Sequence, residues 1–83
     1  MPLFMDTHKK IDGLTAEAVT GAHAMDLAVQ EKYDANFLQY WFNEDTGRVH
    51  CLIEAPDAAA AEAVHKEAHG LLADEIVEVS EGR

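Results

Sequence analysis

Hydrophobic and polar residues alternate at the start of the chain and then change to a helical period. Residues Leu3 to His8 alternate and predict a first strand. Thr15 is a suitable N-cap for a helix that we expect to run to about Tyr33. The predicted apolar stripe of this helix comprises Ala18, Ala22, Met25, Val29 and Tyr33. A strand followed by an amphipathic helix therefore opens the chain.

A hairpin occupies the middle of the chain. Residues 37–42 and 48–54 are rich in strand formers, and turn-forming residues at 43–47 separate them. Both segments place large apolar groups on both faces, whereas a sheet with one face in water alternates clearly between apolar and polar residues. A second covering layer is therefore needed. We predict a homodimer formed through the open faces of two sheets.

A second helix and a final strand complete the pattern. Asp57 is expected to cap an alanine-rich helix that runs to about Ala73, and residues 75–80 predict the last strand. The predicted apolar stripe of this helix is Ala61, Val64, Ala68 and Leu72. The order β-α-β-β-α-β predicts a ferredoxin-like α+β sandwich, a four-stranded antiparallel sheet with two helices on one face. We expect one such domain over residues 1–83.

Charge narrows the range of partners. The chain has 16 acidic and 6 basic side chains, for a formal net charge of −10. This charge argues against binding of nucleic acid and of anionic membrane surfaces, both of which need a basic patch. The sequence also shows neither a bilayer-spanning apolar run nor a signal-peptide pattern. We therefore expect a cytoplasmic protein whose charge suits cations.

Two of the five histidines have the spacing of a metal chelate. His65 and His69 lie four residues apart on the second helix, which places both imidazoles on one helix face. Glu62 lies three residues before His65 on the same flank and adds a candidate carboxylate. Because this glutamate does not follow the first histidine directly, the segment is not the H-E-x-x-H motif of zinc proteases.

The first helix carries a comparable polar row. His23, Asp26 and Gln30 flank its predicted apolar stripe and offer nitrogen or oxygen donors. The two helices of this fold lie side by side, so the two rows can face each other or a partner subunit. Imidazole with oxygen donors suits nickel, cobalt or zinc. For each histidine the alternative is a structural role, packed at the edge of the core with one satisfied hydrogen bond.

The other chemistry-bearing residues are expected to be structural, and no enzyme activity is predicted. We expect His8 and His50 near opposite ends of two parallel central strands, so they should not share an ion. His8 beside Asp6 offers at most a weak surface site. Cys51 alternates with apolar neighbours and is predicted to face a core as a small hydrophobe. No serine triad or glycine-rich phosphate loop is present in the sequence.

Several stretches carry a family resemblance. They are Ala22-His23 with Asp26-Leu27, Gln30 and Tyr33; Tyr40-Trp41; Gly47, Val49 and Cys51-Leu52 with Glu54-Ala55-Pro56; and His65 with Glu67-Ala68-His69-Gly70. The chain resembles a family of small bacterial proteins, common in actinobacteria, represented by a Streptomyces nickel-binding protein. The resemblance implies a ferredoxin-like homodimer that holds nickel near the dimer surface for sequestration or homeostasis. Its implied candidate ligands are His23, Asp26, His65 and His69.

The chain departs from that family at residues 34–35 and at His50.

Two other functions stay open. A dimeric α/β-barrel protein or enzyme would bind a small molecule between sheet and helices, with His23, Tyr40 and Trp41 lining a cavity of about a few hundred Å³. A purely structural dimerisation module would use none of the histidines.

Overall fold

The computed structural model of the chain describes residues 1–82. Its elements are β1 (Leu3–His8), α1 (Ala16–Val29), a 3₁₀ turn (Gln30–Tyr33), β2 (Asn36–Asn43), β3 (Arg48–Glu54), α2 (Ala58–Ala68) and β4 (Glu75–Val79). This order confirms the predicted ferredoxin-like α+β sandwich. No helix among these described residues is long and apolar enough to cross a bilayer.

The four strands form one sheet in the order β2-β3-β1-β4, with every neighbouring pair antiparallel. In the central pair, Asp6 lies opposite Cys51 and His8 lies opposite Val49. The expectation that β1 and β3 are parallel, with His8 and His50 far apart, is therefore wrong. The helical crossover makes β2 run parallel to β1, and the hairpin then reverses β3. His8 and His50 are close along the ladder but point to opposite faces of the sheet.

Thr15 and Asp57 cap the two helices as predicted, each accepting a backbone N–H three residues further on, at 3.1 and 2.8 Å. The buried face of α1 differs from the predicted stripe. Val19 and Asp26 point inward, whereas Met25 is 51% exposed. A polar residue occupies the inner face of this helix, so the apolar period alone indicated a face rotated from the true one.

Helix α2 ends at Ala68 rather than near Ala73. Gly70 adopts a left-handed conformation with φ of 76°, and its backbone N–H donates to the carbonyl of His65 at 2.8 Å. A glycine at this position commonly terminates a helix because it has no Cβ to clash. Leu72, predicted in the apolar stripe, consequently lies beyond the helix and is exposed.

The two faces of the sheet have different surroundings. The face under the helices forms a core whose buried apolar members include Phe37, Val49, Ile53, Ala61 and Val64. The opposite face, which we call the open face, is uncovered and exposes Leu38, Trp41 and Val77 by 50%, 45% and 48%. These values agree with the prediction that both faces are apolar.

Candidate metal centre

His65 lies between the helices and the sheet with 1% of its surface exposed. Its Nε2 is 2.6 Å from Asp6 Oδ2 and its Nδ1 is 2.9 Å from Asp26 Oδ1. Asp6 belongs to β1, Asp26 to α1 and His65 to α2. The two central contacts therefore tie one strand and both helices to a single buried imidazole.

His69 joins Asp26 and His65 to form what we call the outer trio. The His69 Nε2 atom is 3.0 Å from Asp26 Oδ1 and 3.1 Å from His65 Nδ1. Together with the contact between Asp26 and His65, these distances describe a triangle of donor atoms with edges of 2.9 to 3.1 Å. Three potential ligand atoms thus converge on one point between the two helices.

Hydrogen bonding determines the protonation state of His65. Burial disfavours a charged imidazole, but the hydrogen bonds to Asp26 and Asp6 outweigh burial and raise the pKa of His65 to about 11. Near neutral pH the ring therefore carries both protons. It donates from Nδ1 to Asp26 and from Nε2 to Asp6.

The ring proton of His69 can be placed from its backbone contact. The N–H of Leu71 donates to His69 Nδ1 at 3.1 Å, so that nitrogen is an acceptor. The proton of a neutral ring then sits on Nε2, from which it is donated to Asp26 Oδ1. Asp26 Oδ1 accepts from both histidines, and the protons in this triangle are those that a bound cation replaces.

A second group of donors lies on the sheet side of His65. Asp6, His8, Cys51 and His65 each offer one ligand atom, and these four atoms all lie within 4.8 Å of one another. We call this group the inner quartet. All four residues are buried. Strand alternation places Asp6 and His8 on the same face as the core residue Phe4.

Burial sets the protonation states of His8 and Cys51 in the metal-free inner quartet. Burial lowers the pKa of His8, outweighing the attraction of Asp6. Burial also raises the pKa of the Cys51 thiol to about 11, although the nearby His65 acts in the opposite direction. At neutral pH, His8 is therefore a neutral imidazole and Cys51 a thiol.

The outer trio fits the geometry of a divalent transition metal. With metal–ligand bonds of about 2.1 Å, neighbouring donors on an octahedral ion lie about 3.0 Å apart, and on a tetrahedral ion about 3.4 Å apart. The observed edges of 2.9 to 3.1 Å match the octahedral value. Two imidazoles and one carboxylate are also donors that nickel, cobalt and iron accept.

The predicted ligands fall into two groups. The structure brings Asp26, His65 and His69 together, which is the first of the two arrangements of the polar rows that the sequence left open. His23 instead packs on Tyr40, with ring centroids 4.7 Å apart. Glu62 is exposed and joins neither donor cluster within residues 1–82.

Sequence reasoning missed the donors on the strands. Asp6 and His8 were expected at the surface but are 0% and 6% exposed, so that expectation is wrong. Their regular alternation with Phe4 was the available signal, since it places all three on one face. Cys51 faces the core as predicted, but the residues around it include Asp6 and His65.

A small cavity adjoins both groups of donors. It measures about 70 Å³ and is bounded by His8, His23, Asp26, His65 and His69 together with apolar side chains. This space suits a few water molecules. It is much smaller than the roughly 300–1,000 Å³ of usual small-molecule sites, so it gives little support to the alternative of an organic ligand.

The fold and the donor clusters define a small ferredoxin-like α+β protein with a candidate metal centre. The chain belongs to the family described as nickel responsive protein SCO4226-like, whose sequence profile matches residues 4–79. It is similar to SCO4226 from Streptomyces coelicolor A3(2), known from a crystal structure, with 40% identity and a TM-score of 0.91 over 98% of this chain and 99% of that chain. No curated protein sequence matches the chain. The family predicted from the sequence is thereby confirmed.

Proposed function

We propose that the chain binds a divalent transition metal, with nickel as the physiological ion, through Asp26, His65 and His69. The observation that carries this proposal is the triangle of donor atoms with edges of 2.9 to 3.1 Å. Its spacing and its donor types agree with one face of an octahedral ion, a geometry that nickel accepts. The description of the family as nickel responsive supports the choice of ion.

The contact between Asp6 and His65 adds support. A histidine that binds metal through one ring nitrogen usually donates the N–H of the other to a carboxylate, which fixes the tautomer and the ring orientation. Asp6 Oδ2, at 2.6 Å from His65 Nε2, occupies that position. It leaves His65 Nδ1 directed at the outer trio, where nickel takes the place of the Nδ1 proton.

The neighbouring cavity leaves room for the remaining ligands. An octahedral ion held by three protein donors has three further positions. The cavity of about 70 Å³ has room for water molecules at the same three side chains. Bound nickel would therefore be partly hydrated. For the role of the bound ion we propose sequestration or homeostasis of nickel, in keeping with the family's description as nickel responsive.

The proposal includes a cytoplasmic homodimer formed through the open faces of two sheets. That face exposes Leu38, Trp41 and Val77 by about half of their surfaces. Contiguous apolar surface of this kind is uncommon on monomers and typical of an interface. The side chains that line its groove include Leu3, Met5, Leu38, Trp41, Leu52 and Val79.

Calorimetric titration of nickel into tag-free protein tests the proposed ligands. Substituting His69→Ala removes one donor without disturbing the buried contact between His65 and Asp6, and we expect affinity to fall at least about a hundredfold. Glu62→Gln, on an exposed position of the same helix, is the matched control and should bind nickel as the unaltered protein does. Unchanged nickel affinity and stoichiometry in the folded His69→Ala protein would remove the outer trio from consideration.

A further inference from the structure

One carboxylate oxygen in the protein interior has no hydrogen-bond partner. Asp6 is 0% exposed, and its Oδ1 atom is the buried side-chain oxygen without a partner among the described residues. An unsatisfied buried acceptor typically costs about 1–3 kcal/mol, so such atoms are rare and commonly mark a functional group or the position of a bound water or ion. The other oxygen, Oδ2, is fully engaged with His65 Nε2.

The surroundings of this oxygen are donors of metal-binding type. His8 Nε2 lies 3.7 Å away, too far for a hydrogen bond. The thiol of Cys51, which pairs with Asp6 across the strands, and His65 Nε2 complete the inner quartet. The four side chains come from β1, β3 and α2, and each is buried. The carboxylate that carries the unpartnered oxygen thus belongs to a preformed group of one sulfur, two nitrogen and one oxygen donors.

We propose that Asp6, His8, Cys51 and His65 form a second, inner site that takes a thiophilic divalent cation of the zinc type. This site differs from the outer trio in its donors and in its preferred ion. A sulfur donor with two imidazoles and one carboxylate favours four-coordinate zinc, whereas the outer trio lacks sulfur. The inner site stands whether or not the outer trio binds nickel.

The proton balance of binding follows from the state of each ligand. Cys51 loses its thiol proton to solvent and binds as thiolate, a change that a coordinated cation strongly promotes. His65 releases its Nε2 proton to solvent as well and keeps the Nδ1 proton, which it continues to donate to Asp26. His8 binds through Nε2 without losing a proton. Two negative ligands then neutralise the two charges of the cation within the buried site.

The quartet must contract slightly to bind. Bond lengths of about 2.0–2.3 Å place tetrahedral donors about 3.3–3.8 Å apart. The present donor atoms lie within 4.8 Å of one another, so no pair has to approach by more than about 1.5 Å. Rotation of Asp6 requires no loss of an existing bond at Oδ1, because that atom has no partner.

His65 belongs to both groups, so the two sites compete. When His65 binds a cation in the inner quartet through Nε2, its Nδ1–H donates to Asp26. When it binds a cation in the outer trio through Nδ1, its Nε2–H donates to Asp6. Two cations at once require a ring without any proton, which is strongly disfavoured for imidazole. One equivalent of zinc should therefore reduce the uptake of nickel.

X-ray absorption on the zinc-loaded, unaltered protein tests the inner site without any substitution. We expect one sulfur at about 2.3 Å in the first coordination sphere of zinc. A zinc environment made of nitrogen and oxygen alone would overturn the proposal. Cobalt titration gives a second readout, because a cobalt–thiolate bond produces a charge-transfer absorption band in the near ultraviolet.

Substitutions then separate the two sites. Cys51→Ser and Cys51→Ala should abolish the cobalt–thiolate band and weaken zinc binding at least about tenfold, with circular dichroism confirming the fold. His69→Ala removes only the outer trio and should leave the band intact. A band that survives both Cys51 substitutions contradicts the inner site, whereas normal nickel binding by His69→Ala contradicts only the outer trio.

Discussion

Each face of the sheet carries residues that are unusual in its surroundings. On the covered face, β1 buries Asp6 and His8; on the open face, the sheet exposes Trp41 and Leu38. Buried ionisable groups are costly unless they are paired or bind an ion, and exposed apolar groups are usually few unless a partner covers them. The comparison agrees with the two proposals, a metal site on the covered face and a subunit interface on the open face.

The largest expected effect comes from removing the carboxylate that pairs with His65. Asp6→Ala leaves a buried, charged imidazole with one partner fewer, and we expect the free energy of unfolding to fall by about 3–5 kcal/mol. Urea denaturation of metal-free protein measures this change. Glu75→Ala, an exposed acidic position on β4, is the control and should stay within about 0.5 kcal/mol of the unaltered protein. Equal losses for both variants would refute the special role of the covered face.

The stability of the metal-free protein should fall as pH rises above neutral. The folded-state pKa of His65 is about 11, well above its ordinary value of 6.5. The charged His65 ring therefore stabilises the fold fully below its unfolded-state pKa of 6.5. This stabilisation declines between pH 6.5 and the folded-state pKa of about 11, by at most about 1.4 kcal/mol per pH unit. The midpoint of urea denaturation should be measured between about pH 7 and pH 8.5. In this range the Cys51 thiol stays mostly protonated in both states, because its ordinary pKa is 9.0, so the change in midpoint reports on His65. A flat profile in that range would contradict the assigned charge on His65.

The open face should control assembly with little effect on the fold. Trp41→Glu places a charge in the proposed interface, so the particle mass should fall from twice 9.1 kDa to 9.1 kDa. Because Trp41 is 45% exposed, unfolding of the monomer should change by only about 1 kcal/mol. Met25→Glu alters an equally exposed apolar residue on α1 and should leave the dimer intact. Light scattering after size-exclusion chromatography provides the mass, and a monomeric unaltered protein would exclude this interface.

The smallest expected effect is local to the turn after α2. The N–H of Leu71 donates to His69 Nδ1. When His69 binds nickel through Nε2, a neutral ring must carry its proton on Nδ1, where it opposes the Leu71 donor. The loss of this bond, worth about 0.5–1.5 kcal/mol, should speed amide exchange at Leu71 on nickel binding. Exchange at Ala55, whose N–H donates to the carbonyl of Pro2, is the internal reference. Slower exchange at Leu71 would argue against ligation through Nε2.

The order of elements and one half of the candidate site follow from local sequence patterns. Caps, turn residues and β-forming segments specify the βαββαβ order. The spacing of His65 and His69 also indicates a shared helix face without any tertiary information. The sequence identified Asp26 as a donor on a flank of α1. Because Asp26 is in fact buried, the inner face of α1 differs from the apolar stripe that the sequence predicted.

The other half of the site depends on long-range pairing. Cys51 meets Asp6 only through the register between β3 and β1, and His65 reaches them only when α2 packs on the sheet. Local patterns carry no information about which strands become neighbours. They also favour a surface position for a strand carboxylate, because burial of Asp6 is stable only with the distant imidazole of His65 beside it.

Anomalous diffraction at the nickel absorption edge, from crystals grown with nickel and without zinc, tests the central claim most directly. The account predicts an anomalous peak within coordination distance of Asp26 Oδ1, His65 Nδ1 and His69 Nε2, about 2.1 Å from each donor. Nickel found only at other positions, with the two histidines still hydrogen-bonded to Asp26, would contradict it.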